Sequence, residues 1–158
     1  PAPRINLRPN QEGGDVFQIA LGSVLMMATV AIAGLTTWAL EMALDSSGDW
    51  LRRWRPRVRV TVGIMVMTLW ALAAITAQVW LWAVVLQYLG AFTDREEAIY
   101  YTLVTFTTLG YGDVLLPKGL RVLGALAAVN GMLNIGVLTA VMIDSIRVLR
   151  QKYGIRAP

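Results

Sequence analysis

Residues 105–113 read TFTTLGYGD, a stretch in which three threonines precede two glycines that flank a tyrosine. Glycine adopts positive φ without steric cost, so Gly110 and Gly112 permit backbone conformations that other residues resist. The stretch includes the end of an uncharged run, 98–112, of 15 residues. As a helix that run would be about 22 Å long, short of the roughly 30 Å hydrocarbon core of a bilayer. We therefore predict a short helix followed by non-helical backbone.

Three longer uncharged runs surround this segment, at 16–40, 60–93 and 122–143. Each exceeds the roughly 20 apolar residues that a helix needs to cross a bilayer. Of the 158 residues, 56% are hydrophobic and 15% are charged, whereas soluble domains have about 25% charged residues. The sequence thus predicts an all-α membrane protein with three transmembrane helices. The short helix and its glycine-containing segment form a re-entrant unit between the second and third.

The same pattern divides the chain into five segments. Residues 1–15 are predicted to form an extracytoplasmic N-terminal tail, and 16–44 the first transmembrane helix. Residues 45–59 form a cytoplasmic basic loop. Residues 60–150 contain the two other transmembrane helices with the re-entrant unit, and 151–158 form a cytoplasmic C-terminal tail.

The distribution of basic residues predicts which side each segment faces. If the re-entrant unit enters and leaves on one side, the loop at 45–59 and the C-terminus share the other side. That side carries nine of the 14 lysines and arginines, and basic residues favour the cytoplasm. We therefore expect a multi-pass protein of the cell membrane with its N-terminus outside. Its compactness and the lack of cysteine and of N-x-[ST] sites favour a bacterial inner membrane.

The basic loop combines five arginines with two tryptophans and a proline. A voltage sensor needs arginines at every third position of a spanning helix, but these lie one or two residues apart. A solvated interfacial loop is the favoured interpretation, with anionic lipid headgroups rather than nucleic acid as partners. The arginines concerned are Arg52, Arg53, Arg55, Arg57 and Arg59.

Catalysis is not expected of this chain. Histidine and cysteine are absent, which removes the commonest general base, the commonest metal ligand and thiolate chemistry. The acidic residues lie mostly near the ends of the predicted spans, and no catalytic constellation is found among them. We therefore expect no enzyme activity and no cofactor.

The TFTTLGYGD stretch resembles the selectivity filter of the tetrameric potassium channels. The signature T-V-G-Y-G of that family corresponds to T-L-G-Y-G at 108–112. The resemblance covers roughly residues 60–150 and implies an outer helix, a pore helix, the filter and an inner helix. It also implies a homotetramer, in which each chain has three identical partners, and K⁺ as the permeant ligand. Oxygens that would bind K⁺ come from Thr108, Leu109, Gly110 and Tyr111.

The resemblance further implies a layer of supporting residues behind the filter. Tyr100 and Tyr101 match a pair of aromatic residues in the family, and we expect a hydrogen bond between Tyr100 and Asp113. Some bacterial members carry a carboxylate at the position of Val104 that pairs with the aspartate, and valine cannot form that pair. The residues expected to support the filter or hold its geometry are Gly112, Asp113, Thr107, Thr105, Tyr100, Tyr101 and Val104.

Residues 129–136 in the third span read VNGMLNIG and resemble the inner helix of the family. Gly131 lies near the position of a hinge glycine, although close helix packing explains it equally well. Asn130 and Asn134 are polar at mid-membrane, which leaves interhelical hydrogen bonding and contact with a water-filled cavity as alternatives. Residues expected at the cavity and the inner gate, with the last three on one helical stripe, are Gly131, Asn134, Ile135, Thr139 and Ile143.

The leading hypothesis is a potassium-selective channel subunit that conducts K⁺ passively through a homotetrameric pore. The alternatives are a weakly selective cation channel on the same scaffold and a non-conducting membrane interaction subunit. Tyr111 argues against weak selectivity, because relaxed members of the family usually lose that tyrosine or the following glycine. A simple turn between helices would explain the glycines, but not the flanking threonines or the short uncharged run.

Overall fold

The computed structural model describes the backbone of residues 12–46 and 56–152, and it is helical with no strand in these two ranges. The helices are α1 (Glu12–Ser46), α2 (Pro56–Tyr88), α3 (Arg95–Phe106) and α4 (Arg121–Lys152), with a 3-10 turn at Lys118–Leu120. The predicted all-α fold class is confirmed.

Three of the helices are long and apolar enough to cross a membrane, at Gly14–Ala43, Val60–Tyr88 and Lys118–Arg147. Each contains 29 or 30 residues, which corresponds to about 45 Å of helix. The chain is therefore a multi-pass membrane protein. With 12 residues, α3 reaches about 18 Å and is too short to span the bilayer.

The boundaries of α1 and α2 differ from those expected. Helix α1 begins at Glu12 and ends at Ser46, beyond the predicted 16–44 at both ends. Helix α2 begins at Pro56 rather than near Val60, because proline suits the first turn of a helix, where its missing N–H has no partner to lose. Charged residues therefore do not mark the ends of these helices.

The predicted lipid contacts of the basic loop lie outside the described residues. Arg52, Arg53 and Arg55 precede α2, and the side chains of Arg57 and Arg59 are likewise not among the described ones. Most of the predicted N-terminal tail and of the C-terminal tail also lies outside them.

Helix α3 begins where Asp94 provides an N-cap, its carboxylate accepting a hydrogen bond from the backbone N–H of Glu96 at 3.4 Å. Glu96 and Glu97 follow in the first turn, where negative charge is favoured by the helix dipole. The helix ends at Phe106, with Thr107 as its C-cap. The non-helical backbone expected after a short helix is present.

The hydrophobic core places α3 against α2 and α4. Trp82 of α2 is fully buried and its ring meets that of Phe106 edge to face, with the centroids 6.2 Å apart. Leu123 and Ala127 of α4 belong to the same core, and Leu25 brings α1 into it. Phe106, the last residue of α3, is therefore packed between α2 and α4. This packing fixes the position from which the next segment begins.

Candidate ion-conduction site

Backbone hydrogen bonds connect the segment after α3 to the end of that helix. The N–H groups of residues 107–110 all donate to carbonyl oxygens in the last turn of α3. Leu109 and Gly110 share one acceptor, the carbonyl oxygen of Val104, at 3.0 and 3.2 Å. Within the described part of the chain, no hydrogen bond reaches the carbonyl oxygens of 108–112. These oxygens are therefore free to accept a ligand.

Positive φ alternates along the same segment. Thr108, Gly110 and Gly112 have φ of 57°, 52° and 78°, whereas Leu109 and Tyr111 between them do not have positive φ. The two glycines were expected to adopt this conformation, and it is observed at both. Positive φ was not expected at Thr108, because a β-branched residue with positive φ is an outlier. In an ion filter, rings of backbone carbonyl oxygens face one axis, and a backbone in which every second residue has positive φ is compatible with that arrangement.

The segment presents its side chains and oxygens on an open surface of the single chain. Leu109 and Tyr111 are 55% and 68% exposed. No cluster of three or more His, Cys, Asp or Glu side chains that could hold a metal ion occurs among the described residues. The groups that this segment itself offers a cation are the carbonyl oxygens of 108–112, and backbone carbonyl oxygens can replace the hydration shell of an ion.

The hydrogen bond expected between Tyr100 and Asp113 is present. The Tyr100 hydroxyl donates to Oδ2 of Asp113 at 2.6 Å, and Oδ1 of the same carboxylate accepts from the backbone N–H of Val114 at 3.0 Å. The bond from Tyr100 lowers the pKa of Asp113 and raises the pKa of Tyr100, because it is made to the ionised carboxylate and the neutral phenol. It ties the end of the segment back to α3.

A cavity of about 170 Å³ lies between α3 and the returning backbone. From α3 it is lined by four residues that the sequence singled out, namely Tyr100, Tyr101, Val104 and Thr105. Gly110, Gly112 and Asp113 line it from the other side. The structure therefore brings together most of the predicted supporting layer.

Tyr101 also contacts α4. Its hydroxyl lies so close to Gly124 of α4 that a Cβ at that glycine would collide with it. Its ring also lies 5.2 Å from that of Phe92, in the loop before α3. Val104 has no carboxylate with which to pair Asp113, and Tyr100 is the partner instead.

Gly131 packs directly on the end of α3. A Cβ at this position would lie 2.5 Å from the carbonyl oxygen of Phe106 and 2.7 Å from its Cβ. Of the two explanations for this glycine, the structure therefore supports close packing. Gly136 meets no heavy atom within 4 Å of its hypothetical Cβ in the single chain.

The contact of Asn134 with a pore cavity stays a prediction, which no contact within the single chain tests. Asn134 is 2% exposed and lies against α1, where its amide donates to Thr29 Oγ1 at 3.4 Å and to Asn130 Oδ1 at 2.9 Å. Interhelical hydrogen bonding, the alternative left open by the sequence, is what the structure shows.

The other expected cavity residues are exposed in the single chain. Ile135 and Thr139 border an open groove of about 290 Å³ between α2 and α4, and Ile143 is exposed below them. Leu133 and Val137, which the i, i+4, i+8 spacing of Ile135, Thr139 and Ile143 leaves off this stripe, are exposed as well. Because both groups of side chains are exposed in the single chain, their exposure does not show which group faces a pore. The pore-facing stripe of Ile135, Thr139 and Ile143 stays a prediction.

Sequence reasoning missed the residues that join α1 to the other helices. Gln18 and Thr29 of α1 both make hydrogen bonds to α4, and Trp70 of α2 donates its indole N–H to the carbonyl oxygen of Thr36 at 2.9 Å. A signal was available, because polar side chains within an apolar span usually face protein rather than lipid.

This fold and this segment are those of a membrane channel. A family model described as ion channel matches residues 65–148, which is more than half of the chain. The protein belongs to this ion channel family, the pore family of two-transmembrane potassium channels. The match begins in α2, includes α3 and the segment after it, ends in α4 and leaves α1 outside. No solved structure matches the chain.

Proposed function

We propose that the chain is a subunit of a homotetrameric potassium-selective channel. K⁺ is bound by carbonyl oxygens of Thr108, Leu109, Gly110 and Tyr111, with the Thr108 hydroxyl below them. The observation that carries the proposal is the segment 108–112, where alternating positive φ coincides with carbonyl oxygens that accept no hydrogen bond within the described chain. Membership of an ion channel family supports transport rather than catalysis.

The coordination that K⁺ requires calls for several chains, and the resemblance to the tetrameric potassium channels implies that there are four. A dehydrated cation needs oxygen ligands on several sides, and one chain supplies a single wall of them. The exposure of Leu109 and Tyr111 in the single chain supports contact with further copies. Four chains around one axis would complete each ring of oxygens and also bury these side chains.

The charges around the segment favour a cation. The C-terminal end of a helix carries a partial negative charge, and the last turn of α3 contains no basic residue that would neutralise it. The N–H groups of 107–110 are hydrogen-bonded to this same turn. The partial negative charge at the end of α3 is therefore held next to the proposed conducting segment, residues 108–112. The expected cytoplasmic position of the C-terminus belongs to the same proposal and follows from the basic residues.

Flux measurements on the full chain in liposomes test the proposal. Vesicles containing the protein should take up K⁺ down a gradient and take up Na⁺ much more slowly, and chemical crosslinking in mild detergent should give a ladder that ends at four chains. Equal fluxes of the two ions would support the weakly selective alternative. A crosslinked tetramer without flux of either ion would support a non-conducting subunit.

A further inference from the structure

Helix α1 lies outside the residues that match the channel family, yet side-chain hydrogen bonds join it to α4 at two levels. Near its start, Gln18 Oε1 accepts from the backbone N–H groups of Val122 and Leu123 at 3.1 and 3.3 Å. Near its middle, Thr29 Oγ1 lies 2.7 Å from Asn130 Oδ1, to which it donates. Helix α1 therefore packs on α4 of its own chain.

The contact at the middle level is a buried polar network inside an apolar interface. Thr29, Asn130 and Asn134 are 0%, 1% and 2% exposed. Asn130 Oδ1 accepts from Thr29 and from Asn134, which approach from different helices. The Nδ2 of Asn130 and the Oδ1 of Asn134 have no partner among the described residues. Because burying an amide without hydrogen bonds is costly, the bonds that are made hold Asn130 in one orientation.

The hydrogen bond from Thr29 to Asn130 is not required to satisfy the Thr29 hydroxyl within α1. Its hydroxyl also lies 2.8 Å from the carbonyl oxygen of Met26, the local acceptor that a threonine in a helix commonly uses. Among the described residues, the hydroxyls of Thr36 and Thr37 in the same helix donate only to carbonyl oxygens of that helix. Thr29 therefore differs from its neighbours in reaching α4.

Asn130 is adjacent to the contact that supports the conducting segment. The next residue, Gly131, packs on the backbone of Phe106 with no room for a Cβ. Phe106 is the last residue of α3 and leads directly into 107–113. A shift of α4 along its axis, or a rotation about it, would move Gly131 and disturb its contact with Phe106.

We propose that Thr29 and Asn130 are positioning residues for conduction. Their hydrogen bond fixes the axial position and rotation of α4, so that Gly131 stays in contact with Phe106. Helix α1 thereby supports the filter through α4. This inference rests on the proposed function, because it assigns the two residues a role in K⁺ flux. A role limited to membrane anchoring would leave the flux of each assembled channel unchanged.

The test compares threonine variants of the full chain in liposomes. Thr29→Val keeps the shape of the side chain and removes the hydroxyl, Thr29→Ser keeps the hydroxyl, and Thr37→Val is the matched control on the same helix. K⁺ flux is divided by the amount of crosslinked tetramer, and the K⁺/Na⁺ flux ratio is measured in parallel. We expect Thr29→Val to lose about tenfold in flux per tetramer and to lower the ratio, with the other two within about twofold of the parent.

Unchanged flux per tetramer and an unchanged ratio in Thr29→Val would overturn the inference, even if fewer tetramers form. If Thr29→Val does not assemble, Thr29→Ala, which removes the same hydroxyl and has higher helix propensity, is read by the same criteria. If the parent chain itself passes no K⁺, the proposed function fails first and the positioning role falls with it.

Discussion

The Tyr100 hydroxyl donates a 2.6 Å hydrogen bond to Oδ2 of Asp113, across the whole segment that contains the free carbonyl oxygens. Tyr100 lies on α3 before the segment and Asp113 follows it. The bond therefore closes a loop whose ends are both held, while its middle, 108–112, keeps its oxygens free. A bridge of this kind restrains the segment without using the groups that would bind ions.

Tyr100→Phe removes this bond and little else. Because the carboxylate loses its phenol donor, the end of the segment becomes freer, and we expect shorter open times in single-channel recordings. Tyr88→Phe is the control, since Tyr88 is 92% exposed. Open times in Tyr100→Phe that match those of the parent would show that the bond does not stabilise the conducting state.

The same bond predicts how conduction depends on pH. It lowers the pKa of Asp113 below the ordinary value of 3.8, so its contribution is present above that value. The contribution is lost only as the pH falls through the lowered pKa of the folded state. We therefore expect K⁺ flux of the parent to persist to more acidic pH than that of Tyr100→Phe, when the side bearing Asp113 is titrated. Identical acid limits in the two proteins would contradict this.

Gln18 supplies the N-terminal cap of α4 from another helix. Its carbonyl oxygen accepts from two backbone N–H groups in the first turn, and the side chain is 2% exposed. Removing a cap of this kind costs about 1 kcal/mol. We expect Gln18→Leu to lower the free energy of unfolding by about that amount and the melting temperature in detergent with it. Ser23→Ala, which removes a hydroxyl bonded only within α1, should melt like the parent, and equal melting of both variants would refute the capping role.

Two local features of the segment 108–113 could be read from the sequence because they depend on residues close by in the chain. Gly110 and Gly112 were expected to adopt positive φ, and the Tyr100–Asp113 bond was expected from the family pattern. The positive φ of Thr108 could not be read from the sequence, because threonine does not favour it. It occurs where the N–H groups of Thr108 and the next two residues bond to the end of α3.

Contacts of α1 with α4 could not be read from the sequence, because they join residues more than 100 positions apart. Gln18 and Thr29 stand out as polar residues in an apolar helix, but nothing nearby in the chain says that α4 receives them. For the same reason Asn134 left two alternatives open until its partner in α1 was known.

The most direct test of the central claim is K⁺ flux through Gly110→Ala. A Cβ at Gly110 would meet no heavy atom of its own chain within 4 Å, so within each chain the change acts through the φ of 52°. A left-handed residue with a Cβ costs roughly 1–2 kcal/mol, and in a tetramer the cost arises in each of four chains. Gly119→Ala is the control, since its added Cβ is also free of contacts and its φ is not positive.

We expect Gly110→Ala to insert and to crosslink as a tetramer, and to lose K⁺ flux or its preference for K⁺ over Na⁺, while Gly119→Ala conducts like the parent. A Gly110→Ala tetramer with the K⁺ flux and selectivity of the parent would show that residues 108–112 do not form the selectivity filter.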